Sequence, residues 1–163
     1  MKSTTIIKTF MCAFIAVAAV SCKKSTTTTT APPPAAAGFT YKADGGTTIT
    51  VDSANAVLYN LNGSREMDVY AFKGGLQVLE FHFKPLSGTQ SAAPGLGNAA
   101  LLTYITGGIS FDSQSGSLVI TACDTTGNNI VGDFNFVGKE YPFTATTTHI
   151  VDGHMVVTKI TKQ

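Results

Sequence analysis

Tryptophan is absent from the chain, arginine occurs once, and cysteine occurs only three times among 163 residues. Arg65 is the single arginine and no basic run follows Lys24, so nucleic acid is not an expected partner. The cysteines are Cys12, Cys22 and Cys123. Cys12 and Cys22 lie in N-terminal segments with other roles, so no internal disulfide is expected and an apolar core must stabilise the fold. We interpret Cys123 as a small core residue rather than a nucleophile.

The first 21 residues have the composition of a cleaved signal peptide. Lys2 and Lys8 supply positive charge, and Phe10–Val20 is an uninterrupted apolar run of 11 residues. That length fits the roughly 7–15 residues of a signal-peptide core. It falls short of the roughly 20 residues that a membrane-spanning helix needs. We therefore expect residues 1–21 to be removed during export.

The expected cleavage site reads Ala19-Val20-Ser21-Cys22. Small residues before a cysteine resemble the lipobox of bacterial lipoproteins, with Ala19 at the position that leucine usually holds. The motif predicts lipidation of Cys22; the alternative is an ordinary signal peptide followed by a coincidental cysteine. Lys23 and Lys24 follow, without the acidic cluster of a surface-export signal or the aspartate that retains lipoproteins in the inner membrane. The expected address is the periplasmic face of the outer membrane rather than the cell surface.

A segment without large apolar residues separates Cys22 from the remainder of the chain. Lys23–Ala37 reads KKSTTTTTAPPPAAA, so residues 22–37 are expected to be a lipidated cysteine and a disordered tether. Residues 38–163 then form one domain of ordinary size. All ten acidic side chains lie in this domain, whereas four of the eleven basic ones precede it, which leaves a net charge of −3 with histidine neutral.

Apolar and polar residues alternate along several segments of the domain. In Leu79–Lys84 the odd-numbered residues are apolar and the even-numbered ones polar, a period of two that predicts a strand with one buried face. Turn signals at Asp44–Gly46, Lys73–Gly75 and Asp124–Asn129 separate such segments and predict three hairpins.

About eight to ten short strands are expected, and no segment shows helical spacing over ten residues or more. Ser87–Asn98 is rich in Gly, Ser, Ala and Pro and predicts a loop, with a short turn of helix near Ala99–Leu102 as an option. Short connections leave no room for crossover helices, which favours antiparallel pairing. The predicted fold class is all-β, an antiparallel β-sandwich, with a closed lipocalin-like β-barrel as the alternative.

Four stretches carry a family resemblance: Phe39–Gly45, Gly116–Thr121, Gly132–Phe136 and Val151–Met155. They resemble the opening hairpin and the closing strands of a family of small, uncharacterised lipoproteins of the Bacteroidota. The first hairpin of that family often carries a tryptophan, which this chain lacks. The resemblance covers nearly the whole domain. It implies a β-sandwich-like fold and a lipoprotein address, and it implies no activity.

His149, Asp152 and His154 have the chemistry of metal ligands, because imidazole and carboxylate groups bind zinc. Offsets of three and five residues place these side chains on opposite faces of a regular strand. They converge only if Asp152-Gly153 forms a tight turn or a bulge. A plain turn with surface histidines is the favoured interpretation, a metal site is the weak alternative, and no cofactor is expected.

Catalytic spacings are missing from the sequence, including Gly-x-Ser-x-Gly, His-Glu-x-x-His and the phosphate-binding Gly-x-x-x-x-Gly-Lys. His82 and Glu80 share one strand face, and Glu66 and Asp68 could adjoin Glu80 across a hairpin. We expect solvated charges there and assign no catalytic residue.

Two short motifs, Asp52-Ser53-Ala54 and Asp124-Thr125-Thr126, are similar to O-glycosylation sites of the Bacteroidota and make Ser53 and Thr125 weak candidates. The expected function is a membrane-anchored, non-enzymatic binding or accessory module for an envelope protein or a small ligand. One alternative is a β-barrel that carries a small apolar ligand, and a hydrolase is less favoured. Eight aromatic residues are candidates to line such a barrel: Tyr70, Phe72, Phe81, Phe83, Tyr104, Phe111, Phe134 and Phe136.

Overall fold

The computed structural model describes residues 38–94, 99–143 and 145–163. The expected signal peptide, the lipidation of Cys22 and the tether lie outside these residues. The described part is all-β, with eleven strands and no helix, and so contains no helix that could cross a membrane. The strands are β1 (Thr40–Ala43), β2 (Ile49–Thr50), β3 (Ser53–Leu61), β4 (Ser64–Lys73), β5 (Leu76–Phe83), β6 (Gly88–Ala92), β7 (Ala99–Thr106), β8 (Ile109–Asp124), β9 (Asn129–Glu140), β10 (Thr148–Val157) and β11 (Ile160–Lys162).

All eleven strands belong to one strongly curled sheet. Their order is β11-β3-β4-β5-β7-β6-β8-β9-β10-β1-β2. The expectation of antiparallel pairing is confirmed for most neighbours and wrong for two, since β11 runs parallel to β3 and β6 runs parallel to β7. The hairpin of β7 and β8 pairs directly near its turn and then opens, and β6 fits into the gap.

The predicted period of two is confirmed in β5, where Leu79, Phe81 and Phe83 are buried and Glu80 and His82 are half-buried on the opposite face. Strand β9 follows the same rule with its even-numbered residues inward. A fully buried side chain of this size contributes about 1.5–3 kcal/mol. The inward faces therefore supply the core that a chain without an internal disulfide requires.

Aromatic rings meet at the centre of this core. The rings of Phe81 and Phe134 lie edge to face with centroids 4.8 Å apart, and Phe39 and Phe136 pack against them. Gly153 makes room for this cluster, because a Cβ there would lie 2.5 Å from Phe134 Cζ and would also collide with the carbonyl oxygen of Thr40. The glycine of the last long strand is therefore a packing requirement.

Two short connections cross the seam at which the ends of the curled sheet approach each other. Between β2 and β3, the Val51 N–H donates to the Phe39 carbonyl on one side, and the Asp52 N–H donates to the Phe72 carbonyl on the other. Between β10 and β11, the Lys159 carbonyl accepts from the Ala56 N–H. Strands that stand far apart in the sheet order are thus joined by dipeptide links.

The predicted loop Ser87–Asn98 is wrong in part, because Gly88–Ala92 forms β6 inside it. The helical turn near Ala99–Leu102 is also wrong, because β7 begins at Ala99. Hydrogen-bond partners on β7 and β8 hold the small residues of β6 in an extended conformation. The buried amide of Gln90 holds the preceding loop by donating to the Lys84 carbonyl at 2.8 Å.

Candidate functional site

All three histidines of the chain use their Nδ1 atom to bind an aspartate on a neighbouring segment. The three pairs are His82–Asp68 at 2.7 Å, His149–Asp44 at 2.6 Å and His154–Asp133 at 2.7 Å. An ionised carboxylate only accepts hydrogen bonds, so Nδ1–H is the donor in each pair. The Nε2 atom of a neutral ring is then left as an acceptor, and its surroundings distinguish the three histidines.

The His149 pair closes the end of the sheet where β10 begins. The imidazole packs edge to face on Phe111, with centroids 4.4 Å apart, and on Tyr104 at 5.4 Å. Asp44 lies in the turn after β1 and also accepts from the Ile150 N–H at 2.9 Å. The hydrogen bond from His149 is the main cause that lowers the pKa of Asp44, and the Ile150 N–H adds to it. This pair therefore ties the β1–β2 turn to β10.

The His154 pair lies on the outer face of the sheet. The register of β9 and β10 places Asp133 directly opposite His154. The Nε2 atom of His154 is buried and has no hydrogen-bond partner. Leaving a buried polar atom unpaired costs about 1–3 kcal/mol. A ligand group that formed a hydrogen bond with this atom would recover that free energy.

A groove of about 350 Å³ lies beside His154. Gly153 and neighbouring backbone form part of its wall, and Lys42, Asp152 and Asn135 contribute charged and polar side chains. The complete lining is Thr40, Tyr41, Lys42, Thr48, Asp133, Phe134, Asn135, Asp152, Gly153 and His154. The groove thus combines carboxylate, amide, imidazole and ammonium groups.

The condition for a metal site at His149, Asp152 and His154 is not met. Asp152-Gly153 is not a turn, because both residues lie within β10 in regular register with β9. His149 packs against inward-facing rings, whereas Asp152 and His154 line the outer groove. Among the described residues, no group of three His, Cys, Asp or Glu side chains is arranged to hold a metal ion.

A second polar cluster covers the outer face of β3, β4 and β5. Asp68 is its centre and accepts from the hydroxyls of Tyr59 at 3.2 Å and Tyr70 at 3.3 Å as well as contacting His82. The Glu66 side chain is only 12% exposed and lies 3.8 Å from His82 Nε2. Burial and the nearby Asp68 raise the pKa of Tyr59 to about 12. Glu66 and Asp68 therefore converge on His82, whereas Glu80 lies opposite Tyr70 and accepts from Gln77 at 2.8 Å. Glu66 is buried rather than solvated.

A second recess, of about 290 Å³, opens at the end of the sheet between the β4–β5 and β7–β8 turns. Tyr41 and Tyr104 stand in its wall with the apolar side chains of Val78 and Ile105. Burial raises the pKa of the Tyr41 phenol. Lys73 and Gln77 add polar groups, so the recess is not a purely apolar cavity.

The histidine–aspartate pairs can be compared with the triad of a hydrolase. Between residues in the described ranges, no Ser, Thr or Cys side chain hydrogen-bonds to a histidine. Cys123 is free and half-buried against the core, and burial raises the pKa of its thiol, which disfavours the nucleophilic thiolate. This agrees with its interpretation as a core residue.

The glycosylation candidates occupy different settings. Ser53 is exposed at the start of β3, where a modification would meet little obstruction. The Thr125 hydroxyl is half-buried and accepts from the Arg65 guanidinium at 3.2 Å. Modification of Thr125 would break that contact, so Ser53 is the more accessible of the two.

Sequence reasoning missed both aspartates that pair with the β10 histidines. Asp133 and His154 are 21 residues apart and meet only through the β9–β10 register. Asp44 and His149 are 105 residues apart. A register drawn from the alternating apolar residues of β9 and β10 was the one signal that could have found the first pair. No protein-family model, curated protein or solved structure matches this chain.

Proposed function

We propose that this chain is a membrane-anchored envelope lipoprotein whose all-β domain is a non-catalytic binding or accessory module. The proposal depends on the location of the recesses among the described residues. Buried side chains fill the inner side of the curled sheet. One recess lies at the end of the sheet and a groove lies on its outer face. Such a domain binds at its surface. The motif that ends in Cys22 supports lipid anchoring. An outer-membrane, periplasm-facing address and kinship with the Bacteroidota lipoproteins belong to the same proposal.

The proposal also concerns whether the sheet forms a β-sandwich or a barrel. A β-sandwich contains two separate sheets packed face to face, whereas the strands here form one ladder whose ends are linked across the seam. This favours a curled, barrel-like sheet over the sandwich. Of the eight aromatic residues considered for a barrel lining, six point into the packed core, whereas Tyr70 and Phe72 are half-buried on the outer face. The barrel-like sheet is therefore proposed to be solid.

The groove beside His154 is the binding surface that this proposal favours. His154 Nε2 and the Asp152 carboxylate accept hydrogen bonds, while the Lys42 ammonium donates them. These groups match a polar ligand that carries adjacent hydroxyl or amino donors beside an acceptor, as saccharides do. Small movements of the groove wall would be needed to bring such a donor to the buried Nε2 atom.

A thermal-shift screen of soluble glycans, polyols and fatty acids tests the ligand class. We expect a glycan or polyol to raise the Tm of the wild-type protein and to leave the Tm of Asp152→Asn unchanged. His82→Ala serves as the control variant, because it removes another histidine–aspartate contact on β5 and leaves every residue that lines the groove in place. Stabilisation by fatty acids alone, equal in all three proteins, would contradict the proposal and favour apolar carriage.

Anchoring is tested separately through Cys22. Replacing Cys22 with Ala should abolish acyl labelling and release the protein from membranes, because several acyl chains are needed for permanent attachment. Ser21→Ala is a matched control that keeps a small residue before the cysteine. Membrane retention of the Cys22→Ala protein would contradict the proposed lipidation.

The runner-up function, carriage of a small apolar ligand, has one observation in its favour. The recess between the β4–β5 and β7–β8 turns contains Val78, Ile105 and two tyrosines. Its volume of about 290 Å³ lies at the lower limit of pockets that enclose drug-sized ligands. Only a small ligand, partly exposed, would fit.

A further inference from the structure

Four large apolar side chains are exposed at one end of the sheet, and together they are named the apolar end. They are Leu76 at 73% exposure, Tyr141 at 64%, Ile109 at 42% and Phe143 at 41%. None of them lies in the filled interior or beside the groove at His154. Isolated exposed apolar residues are common on protein surfaces, so their location relative to one another decides whether they form a surface.

Antiparallel pairing brings the four residues to the same end. Leu76 begins β5 and Ile109 begins β8, each directly after a Gly-Gly turn. The register places the start of β5 beside the end of β7, and the start of β8 beside the end of β9. Tyr141 follows β9, and its N–H donates to the Ser110 carbonyl at 3.1 Å. All four residues of the apolar end therefore lie at the same end of neighbouring strands β5, β7, β8 and β9.

The aromatic part of the apolar end is ordered. The rings of Tyr141 and Phe143 lie edge to face with centroids 5.6 Å apart. Such a pair presents apolar ring surface together with a phenolic hydroxyl. Side chains with an apolar body and a polar tip are enriched where membranes meet water.

The charges near the apolar end are mixed. The Lys73 ammonium binds the Asp52 carboxylate at 2.8 Å. Glu140 directly precedes Tyr141 and lies opposite Phe111 in the β8–β9 ladder. Docking would therefore depend on burial of apolar surface and not on attraction to anionic headgroups.

We propose that the apolar end docks onto the lipid bilayer, so that Leu76, Ile109, Tyr141 and Phe143 insert at the level of the headgroups. The inference rests on the proposed anchoring through Cys22. Fifteen residues, Lys23–Ala37, separate that cysteine from the domain, and they can span at most about 50 Å. Strand β1 then runs from Thr40 towards the apolar end.

With the lipid anchor in place, a weak contact between the apolar end and the bilayer is sufficient for docking. A short apolar patch binds lipid only marginally by itself, because its insertion scales with the apolar area that it buries. A tether of this length keeps the patch at an effective concentration of about millimolar near the same membrane.

The absence of tryptophan provides a direct test. Phe143→Trp and Leu86→Trp would each give the lipidated full-length protein a single fluorophore. Leu86 is a matched control, since it is also an exposed apolar residue, at 62%, but lies in the loop after β5, at the opposite end of that strand from Leu76. Both proteins are reconstituted in phosphatidylethanolamine–phosphatidylglycerol vesicles that contain lipids brominated on their acyl chains.

Docking predicts a blue-shifted emission for Phe143→Trp and at least about twofold more quenching than for Leu86→Trp. A protein that floats with the vesicles but shows equal, aqueous-like emission from both tryptophans would overturn docking while leaving the anchor intact. A protein that does not float would overturn the anchor and, with it, the docking. A second variant, Leu76→Ser/Ile109→Ser, should lower the quenching of the Phe143→Trp reporter, and unchanged quenching would count against a shared surface.

Discussion

Two histidine–aspartate pairs on strand β10 have the same contact geometry but different surroundings. His149 holds Asp44 at 2.6 Å and packs against the rings of Phe111 and Tyr104. His154, five residues later, holds Asp133 at 2.7 Å and keeps its Nε2 atom buried without a partner beside an open groove. The His149 ring contacts core aromatic rings, whereas His154 borders the groove.

The difference shows that a histidine–aspartate contact does not by itself define a functional site. Around His149, the ring packs on core aromatics and Nδ1 contacts Asp44, so the pair joins the β1–β2 turn to β10. Around His154, one acceptor is unsatisfied and other polar side chains face the same space. Stability and ligand binding should therefore respond oppositely when the two pairs are altered.

The largest effect is expected when the ring beneath His149 is removed. Phe111→Ala should lower the free energy of unfolding by about 3–5 kcal/mol, because it deletes a buried aromatic side chain and leaves a cavity. Urea denaturation followed by circular dichroism measures the change. Ile109→Ala, on the same strand but 42% exposed, should cost less than about 1 kcal/mol. Similar losses in both variants would contradict the structural role of the His149 region.

The two pairs can be compared directly by replacing each histidine with alanine. His149→Ala should lower the free energy of unfolding by about 1–2 kcal/mol, since it removes both ring packing and the hydrogen bond to Asp44. His154→Ala should change stability little, because its partner Asp133 is solvent-exposed and its removal also eliminates an unpaired acceptor. Ligand binding should be lost only in His154→Ala, as measured by isothermal titration calorimetry. Equal destabilisation would show that both pairs are structural.

The Asp44 pair should also make stability depend on acidic pH. Because the folded pKa of Asp44 lies below its ordinary value of 3.8, the unfolded chain binds more protons as the pH falls. The stabilising contribution is therefore complete above about pH 4 and is lost as the pH falls through the folded pKa. Asp44→Asn should flatten this part of the pH profile of Tm relative to the wild-type protein. Identical profiles for Asp44→Asn and the wild-type protein would contradict the assignment.

The smallest effect on stability is expected for Asp133→Asn. The Asp133 side chain is 63% exposed, and surface pairs of this kind contribute about 0–1 kcal/mol. Ligand affinity should nevertheless fall by about tenfold, because the amide no longer fixes the Nδ1–H tautomer that leaves Nε2 as an acceptor. Asn135→Ala, at the same groove, is the comparison variant. An unchanged Kd would indicate that His154 does not accept from the ligand.

Much of the strand pattern followed from local chemistry. Turns at Asp44–Gly46, Lys73–Gly75 and Asp124–Asn129 were predicted from residue types that tolerate positive φ, and Asp44, Gly74 and Asn128 do adopt it. Alternation in Leu79–Lys84 identified the buried face of β5 because burial on a sheet has a period of two. These features depend on neighbours in sequence.

Features that depend on distant pairing were not predictable in the same way. The residues of β6, Gly88–Ala92, have low intrinsic strand propensity and become extended only because β7 and β8 provide hydrogen-bond partners on both sides. The parallel pairing of β11 with β3 depends on the curl of the whole sheet. The groove at His154 likewise needs three strands in register before its residues become neighbours.

The lengths of the outermost strands have a consequence for copies of the domain held close together, as the proposed lipid anchor would hold them. Strand β2 contains two residues and β11 three, so each end of the sheet presents only a short row of unpaired peptide groups. A second copy of the chain finds too few of these groups to extend the sheet from one molecule to the next, because edge-to-edge pairing needs a long, flat strand. The most β-prone segments, in β5 and β8, are enclosed by neighbours on both sides. The short outermost strands therefore limit edge-to-edge association between copies of the domain.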